Sequence, residues 1–175
     1  GEMDKKINMD ITIDSSYLLT FAHIQMEMFK VFREFIDNSL QSYLDHREEL
    51  KNVGGISSCC IVSITWDEAE MIVKDNAWGM NEDAFSRVLK LNKLAPGADK
   101  PDRLSRFGVG FKAAAYHVSK DVIVESSEYG SEIKYKTEMD LDYISRVHPH
   151  PTSNTVAEIP CDREMHGTTI ILKRL

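Results

Sequence analysis

Glu34 and Asn38 stand four residues apart within Phe32-Arg33-Glu34-Phe35-Ile36-Asp37-Asn38-Ser39. In a helix, that spacing puts a carboxylate and an amide on one face, a turn apart. A carboxylate so placed can accept the proton of a water lined up on a phosphate, which is general-base work. An isolated helix glutamate is more often simply solvated, and Asn is a middling helix former whose amide needs partners when buried. What favours chemistry here is the company the pair keeps.

Three further segments follow in chain order. Asp75-Asn76-Ala77-Trp78-Gly79-Met80 puts an acceptor-only carboxylate at a strand end. Arg106-Phe107-Gly108-Val109-Gly110-Phe111-Lys112 opens a helix with two glycines, and Gly167-Thr168-Thr169 begins a strand. Backbone N–H groups at such a helix start converge on phosphate oxygens with help from the helix dipole, and a Cβ would hold the phosphate away. Lys112 reads equally well as a point charge for phosphate or as an exposed first-turn lysine. Thr is ordinary in strands, so Thr168 supports the pattern without defining it.

Several elements must position these groups. Phe29, Phe32, Phe35, Ile36 and Leu40 recur at near-helical spacing. They predict a helix from His23 to about Leu50 that frays near Asp45-His46-Arg47 and is stopped by Asn52-Val53-Gly54-Gly55. Residues 9–14 alternate as a short strand, and 59–66 and 70–74 are β-rich runs around Asp67-Glu68-Ala69, a hairpin. Asn81 is placed to cap a helix through Phe85, Val88 and Leu89, with Glu82 and Asp83 in its first turn. Residues 91–105, with Pro96, Gly97 and Pro101 among charges, read as a long mobile loop, and 111–118 as a helix. Strands are expected at 122–126, 133–137, 155–159 and 168–172, with Pro149 and Pro151 breaking the chain between the two pairs. The implied fold class is α+β, a two-layer α/β sandwich with a mixed, mostly antiparallel sheet and helices on one face.

Taken together, the four segments resemble the motifs of the GHKL ATPase superfamily. It groups gyrase B, ninety-kilodalton heat-shock chaperones, histidine kinases and MutL proteins, with the microrchidia ATPases as close relatives. The resemblance spans roughly residues 20 to 175 and is nearest the chaperone, MutL and microrchidia group. It implies a Bergerat-type ATP-binding domain over residues 1–175, with Mg and ATP as ligands. The family residue matching Glu34 activates water, and the one matching Asn38 binds magnesium through its amide oxygen, as suits a hard ion that takes few protein ligands. Asp75 matches the aspartate that accepts a hydrogen bond from the adenine amino group, a contact that disfavours guanine by leaving buried groups unpaired. Gly79 and Met80 complete that turn. The family pattern there is Asp-x-Gly-x-Gly, and this chain has Ala77 at the first glycine, which tightens the turn sterically.

Gly108, Val109, Gly110 and Phe111 resemble the chaperone phosphate loop almost letter for letter, and Lys112 is more like the microrchidia pattern. Thr168 matches a threonine that backs the adenine aspartate through a water. Residues 91–106 match the ATP lid, from which Lys93, Lys100, Arg103 and Arg106 are candidates to approach phosphates on closure. The activity implied is slow Mg-dependent ATP hydrolysis driving a conformational clamp. Relatives continue into a transducer domain that lends a lysine or arginine to the terminal phosphate, so a longer protein and a nucleotide-dependent homodimer are expected. Sensor histidine kinases usually carry an amide where Glu34 stands. Two alternatives remain open at this point: a protein serine kinase of the anti-sigma-factor type, and a non-hydrolysing nucleotide-sensing interaction module.

Composition agrees with a single domain. The chain has 175 residues, 42% of them hydrophobic, and no Pro/Gly/Ser-rich linker divides it. A net charge of -7 argues against a surface built for nucleic acid. No apolar run approaches the length of a membrane span, and Gly1 to Asp10 lacks the apolar core of a signal peptide, so the expected location is cytoplasmic, or nuclear in a eukaryote. Gly1-Glu2-Met3 has the form of an expression scar and is set aside, with residues 1–8 expected to be disordered. Cys59, Cys60 and Cys161 show no CxxC spacing and read as buried strand thiols. His148-Pro149-His150-Pro151 lacks a Cys or carboxylate partner at ligand spacing and reads as a loop. Met26 to Met28 is core filler, and Trp66 and Trp78 form no ladder for single strands.

Overall fold

Cys60, Val62, Ile64 and Trp66 occupy every second position of one run, and Met71, Val73 and Asp75 do the same in the next. The computed structural model describes residues 9–15, 18–88, 118–146 and 155–175, and it makes these runs β2 (Cys60–Trp66) and β3 (Glu70–Asp75), with the named side chains buried. Asp67 closes the hairpin. Its Oδ1 accepts from Ala69 N–H at 2.8 Å and Glu70 N–H at 2.9 Å, the self-bonding that makes Asp a turn residue. The same donors, Glu70 first, hold this carboxyl below the usual range.

The remaining strands are β1 (Met9–Ser15), β4 (Asp121–Ser127), β5 (Ile133–Asp140), β6 (Ala157–Pro160) and β7 (Gly167–Lys173). They form one seven-stranded sheet in the order β1-β2-β3-β7-β4-β5-β6. Among the described strands, only the β1–β2 pair is parallel. The last strand in the chain is therefore inserted between β3 and β4. Its register, Val73 opposite Ile170 and Lys74 opposite Thr169, runs Asp75 out beside Thr168.

One face of the sheet carries the core. Val62, Ile64, Met71, Val73, Val122, Val124, Ile170 and Leu172 are buried there together with Val31, Phe32 and Phe35 of α1 (Leu18–Asp45). On α1 the buried residues Val31, Phe32, Phe35, Ser39, Ser42 and Tyr43 follow helical spacing, so one stripe faces the sheet. The predicted helix to Leu50 is broken at His46, whose N–H bonds to Tyr43 O at 3.2 Å, and resumes as α2 (Arg47–Val53). Gly54, at φ 77°, ends α2, and a 3-10 turn over Gly55–Ser58 leads into β2.

Asn81 caps α3 (Glu82–Val88) as expected, its Oδ1 accepting from Ala84 N–H at 2.9 Å. A short helix that the pattern had not predicted, α4 (Leu141–Arg146), follows β5, with Asp140 Oδ1 accepting from Tyr143 N–H at 2.9 Å. Cys60 is fully buried, and burial, reinforced by the Asp75 charge, pushes its thiol up to about 12, which makes it inert as a nucleophile. No helix among the described residues is long and apolar enough to cross a membrane. The predicted loop at 91–105, the helix at 111–117 and the Pro149/Pro151 break lie outside the described residues.

Candidate functional site

Asp75 is the last residue of β3 and only 6% exposed, so its carboxylate must be satisfied by the protein. Oδ1 accepts from Thr168 N–H at 2.9 Å and from Ala77 N–H at 3.0 Å. Oδ2 accepts from Ser39 Oγ–H at 2.6 Å. The Ser39 contact ties this strand end to α1 directly after Asn38.

Two glycines permit that closeness. Gly167, at φ +123°, lies where an added Cβ would meet Asp75 O at 2.2 Å. Gly79, at φ +84°, would drive a Cβ to 1.8 Å from Ser127 O. Both positions exclude any side chain, since the obstacle is backbone. Ala77 needs no such freedom. It is buried and its φ is not positive, so the departure from a glycine pattern leaves the turn unstrained.

Met80 is buried, and its N–H donates to Ser126 Oγ at 2.9 Å. Ser126 Oγ lies 2.8 Å from Thr168 Oγ1, so β4, β7 and the turn share one hydroxyl pair. Asn76 holds the turn on its other side. Its Nδ2 donates to Cys59 O at 2.9 Å and Ile56 O at 3.0 Å, while its Oδ1 accepts from Ile61 N–H at 2.7 Å.

Glu34 and Asn38 sit on α1, half-buried, where residues four apart share a face. Asn38 Nδ2 is buried and without a hydrogen-bond partner, which costs stability unless something polar meets that amide. The unpaired atom is a donor, which fits an acceptor such as a phosphate oxygen, while the oxygen of the same amide is the atom that could serve a hard cation as a single neutral ligand. Among the described residues no cluster of three His, Cys, Asp or Glu side chains could hold a metal unaided, so a cation here would draw its other ligands from phosphate and water.

The structure thus joins Asp75 to Thr168 and Met80 through hydrogen bonds, sets Gly79 against the Ser127 backbone beside them, and links the network to the Glu34–Asn38 helix through Ser39. Gly108, Val109, Gly110, Phe111, Lys112 and the lid cations lie outside the described residues. Ser39, Asn76, Ser126 and His166 were not singled out from the sequence. Ser39 and Asn76 stand next to residues that were, which is the one signal that pointed to them. A cleft of about 710 Å³ opens beside the turn, bordered by Asp75, Asn76 and His166 as well as by Ile61, Ser63 and Lys74. Ile61, Ser63 and Lys74 alternate with buried Val62, Ile64 and Val73, so that part of the lining comes from the face of the sheet opposite the core.

No curated protein matches the chain. Residues 26–168, well over half of it, match the family described as histidine kinase-, DNA gyrase B-, and HSP90-like ATPases. The matched stretch runs from α1 through the Asp75 turn to Thr168, and the mixed seven-stranded sheet is the α+β sandwich expected of that family. The chain belongs to the histidine kinase-, DNA gyrase B-, and HSP90-like ATPases, a family of ATP-binding domains.

Proposed function

We propose that this domain binds Mg-ATP between α1 and the Asp75 turn and hydrolyses it slowly, the nucleotide cycle driving a conformational clamp in a larger protein. The observation that carries this reading is the Ser39–Asp75–Thr168 network, which holds a buried carboxylate at a strand end beside the helix of Glu34 and Asn38. Asp75 accepts the adenine amino group, with Thr168 supporting it. Guanine presents a carbonyl at that position, which would set acceptor against acceptor. Glu34 takes the proton of the attacking water. Asn38 supplies an amide oxygen to magnesium, which when bound neutralises phosphate charge. Backbone N–H groups from Gly108 to Phe111, and Lys112, receive the phosphates.

Binding and selectivity are tested together by thermal unfolding with nucleotide and magnesium. ATP should raise Tm by mass action and GTP much less. In a folded Asp75→Asn variant the amide offers a donor where an acceptor is needed, and calorimetry should show ATP affinity lower by about 2 kcal/mol, near thirtyfold. Equal shifts with ATP and GTP, or unchanged affinity in the variant, would remove Asp75 from the adenine role.

A further inference from the structure

Ala77 makes a contact at each end of its backbone. Its N–H donates to Asp75 Oδ1, and its C=O lies 2.6 Å from His166 Nδ1. A carbonyl only accepts, so Nδ1 carries the proton. In the neutral ring Nε2 is then an acceptor, and Ser57 Oγ–H lies 2.9 Å away to donate to it. The Ser57 carbonyl in turn accepts from Tyr43 OH at 2.9 Å. Tyr43 is one helical turn beyond Ser39 on α1.

Two routes therefore run from α1 to the same turn. The inner one is Ser39 to the Asp75 carboxylate, and the outer one passes through Ser57 and His166 to the Ala77 carbonyl. His166 directly precedes Gly167, the residue whose missing Cβ lets β7 lie against Asp75. The ring plane is held as well. Tyr129 meets His166 edge-on at 5.4 Å, and its other neighbour, Trp78, is stacked on His46 with centroids 4.0 Å apart. Tyr129 N–H donates to Trp78 O at 2.8 Å, so the β4–β5 turn grips the residue after Ala77.

We infer that His166 is a positioning residue for base selection: by holding the Ala77 carbonyl from outside the nucleotide site, it sets the backbone that presents Asp75 to adenine. The inference rests on the adenine role proposed for Asp75. A side chain that merely tied two loops together would affect all nucleotides alike. His166 instead acts through the Ala77 backbone on the group proposed to read the exocyclic amino group, so its effect is expected with nucleotides that carry it.

The test is calorimetry on the full chain with ATP and with purine riboside triphosphate, which lacks the amino group, in magnesium. His166→Ala should weaken ATP roughly tenfold, the equivalent of one well-made hydrogen bond, and leave the purine analogue unchanged. His166→Asn puts an amide N–H near the Nδ1 position and should restore the preference for ATP. His166→Gln reaches the Nε2 position instead and should not. If the parent protein itself fails to prefer ATP over the analogue, the adenine role of Asp75 falls and this inference falls with it. If the parent discriminates and His166→Ala loses both nucleotides equally, or neither, only the inference is overturned. Should His166→Ala not fold, the Asn and Gln variants carry the decision: selectivity kept by Asn and lost by Gln supports the inference, and equal behaviour overturns it.

Discussion

The Asp75 turn and the Glu34–Asn38 face of α1 meet at one hydrogen bond, Ser39 Oγ–H to Asp75 Oδ2, yet they are finished in opposite ways. In the turn, the backbone and side chains of Asp75, Asn76, Ala77 and Met80 are paired with protein groups from α1, β2, β4, β7 and the loop before β7. On the helix, the amide next door to Ser39 is buried with its nitrogen unpaired. A paired network is rigid before ligand arrives, which suits recognition of a flat base whose hydrogen-bond pattern never changes. An unpaired amide is a standing cost that only a polar ligand relieves, which suits the end of the site where phosphate and cation come and go. On the proposed reading, the paired end is where the base would sit, and the unpaired Asn38 amide is where phosphate and cation would come.

The largest effect expected from this contrast is kinetic. Glu34→Ala should cut turnover by about a hundredfold or more while ATP affinity stays within about twofold, because a general base acts in the transition state. Phosphate release in the longest native protein is the measurement, and turnover at the parent rate would assign the proton to another group.

Neighbouring substitutions should then move stability in opposite directions. Ser39→Ala strips a donor from a buried carboxylate and should lower unfolding free energy by about 1–2 kcal/mol in urea. Asn38→Leu removes the unpaired amide and should raise it by about 1 kcal/mol without nucleotide, while abolishing the dependence of ATP-induced stabilisation on magnesium. Shifts of the same sign would break the comparison.

The smallest effect lies at the far end of β4. Burial, with Glu138 close by, raises the Asp121 carboxyl from 3.8 to about 6. The folded state therefore binds this proton more tightly, so its stabilising effect is complete below about pH 4 and is lost as pH rises through 6. Asp121→Asn should raise Tm by about 2 °C at pH 7 and leave it unchanged near pH 4. ATP affinity should not change, which separates charge relief in the sheet from the turn itself.

Much of this could be read in the chain, because it depends on neighbours in sequence. Alternation marked β1, β-rich runs marked β2 and β3, the Phe32–Phe35 stripe marked α1, and Asn81 announced its cap. Each is a local periodicity or a contact within a few residues. α4 escaped because its six residues are too few to show a period. The helix break at His46 was foreshadowed by the charged stretch around it, while the stacking of that histidine on Trp78 was not.

The candidate site divides along the same line. Residue types and their order along the chain were enough to pick out Glu34, Asn38, Asp75, Gly79, Met80 and Thr168 and to suggest a family. They were enough because carboxylate, amide and glycine have chemistry and backbone freedom that no neighbour needs to supply. What Asp75 leans on was settled only by the fold. Ser39 is 36 positions away, Thr168 93, and the His166 that holds Ala77 lies 89 residues along from it. The insertion of β7 between β3 and β4 closes those distances, and strand order in a sheet is a property of the whole packed chain rather than of any segment in it.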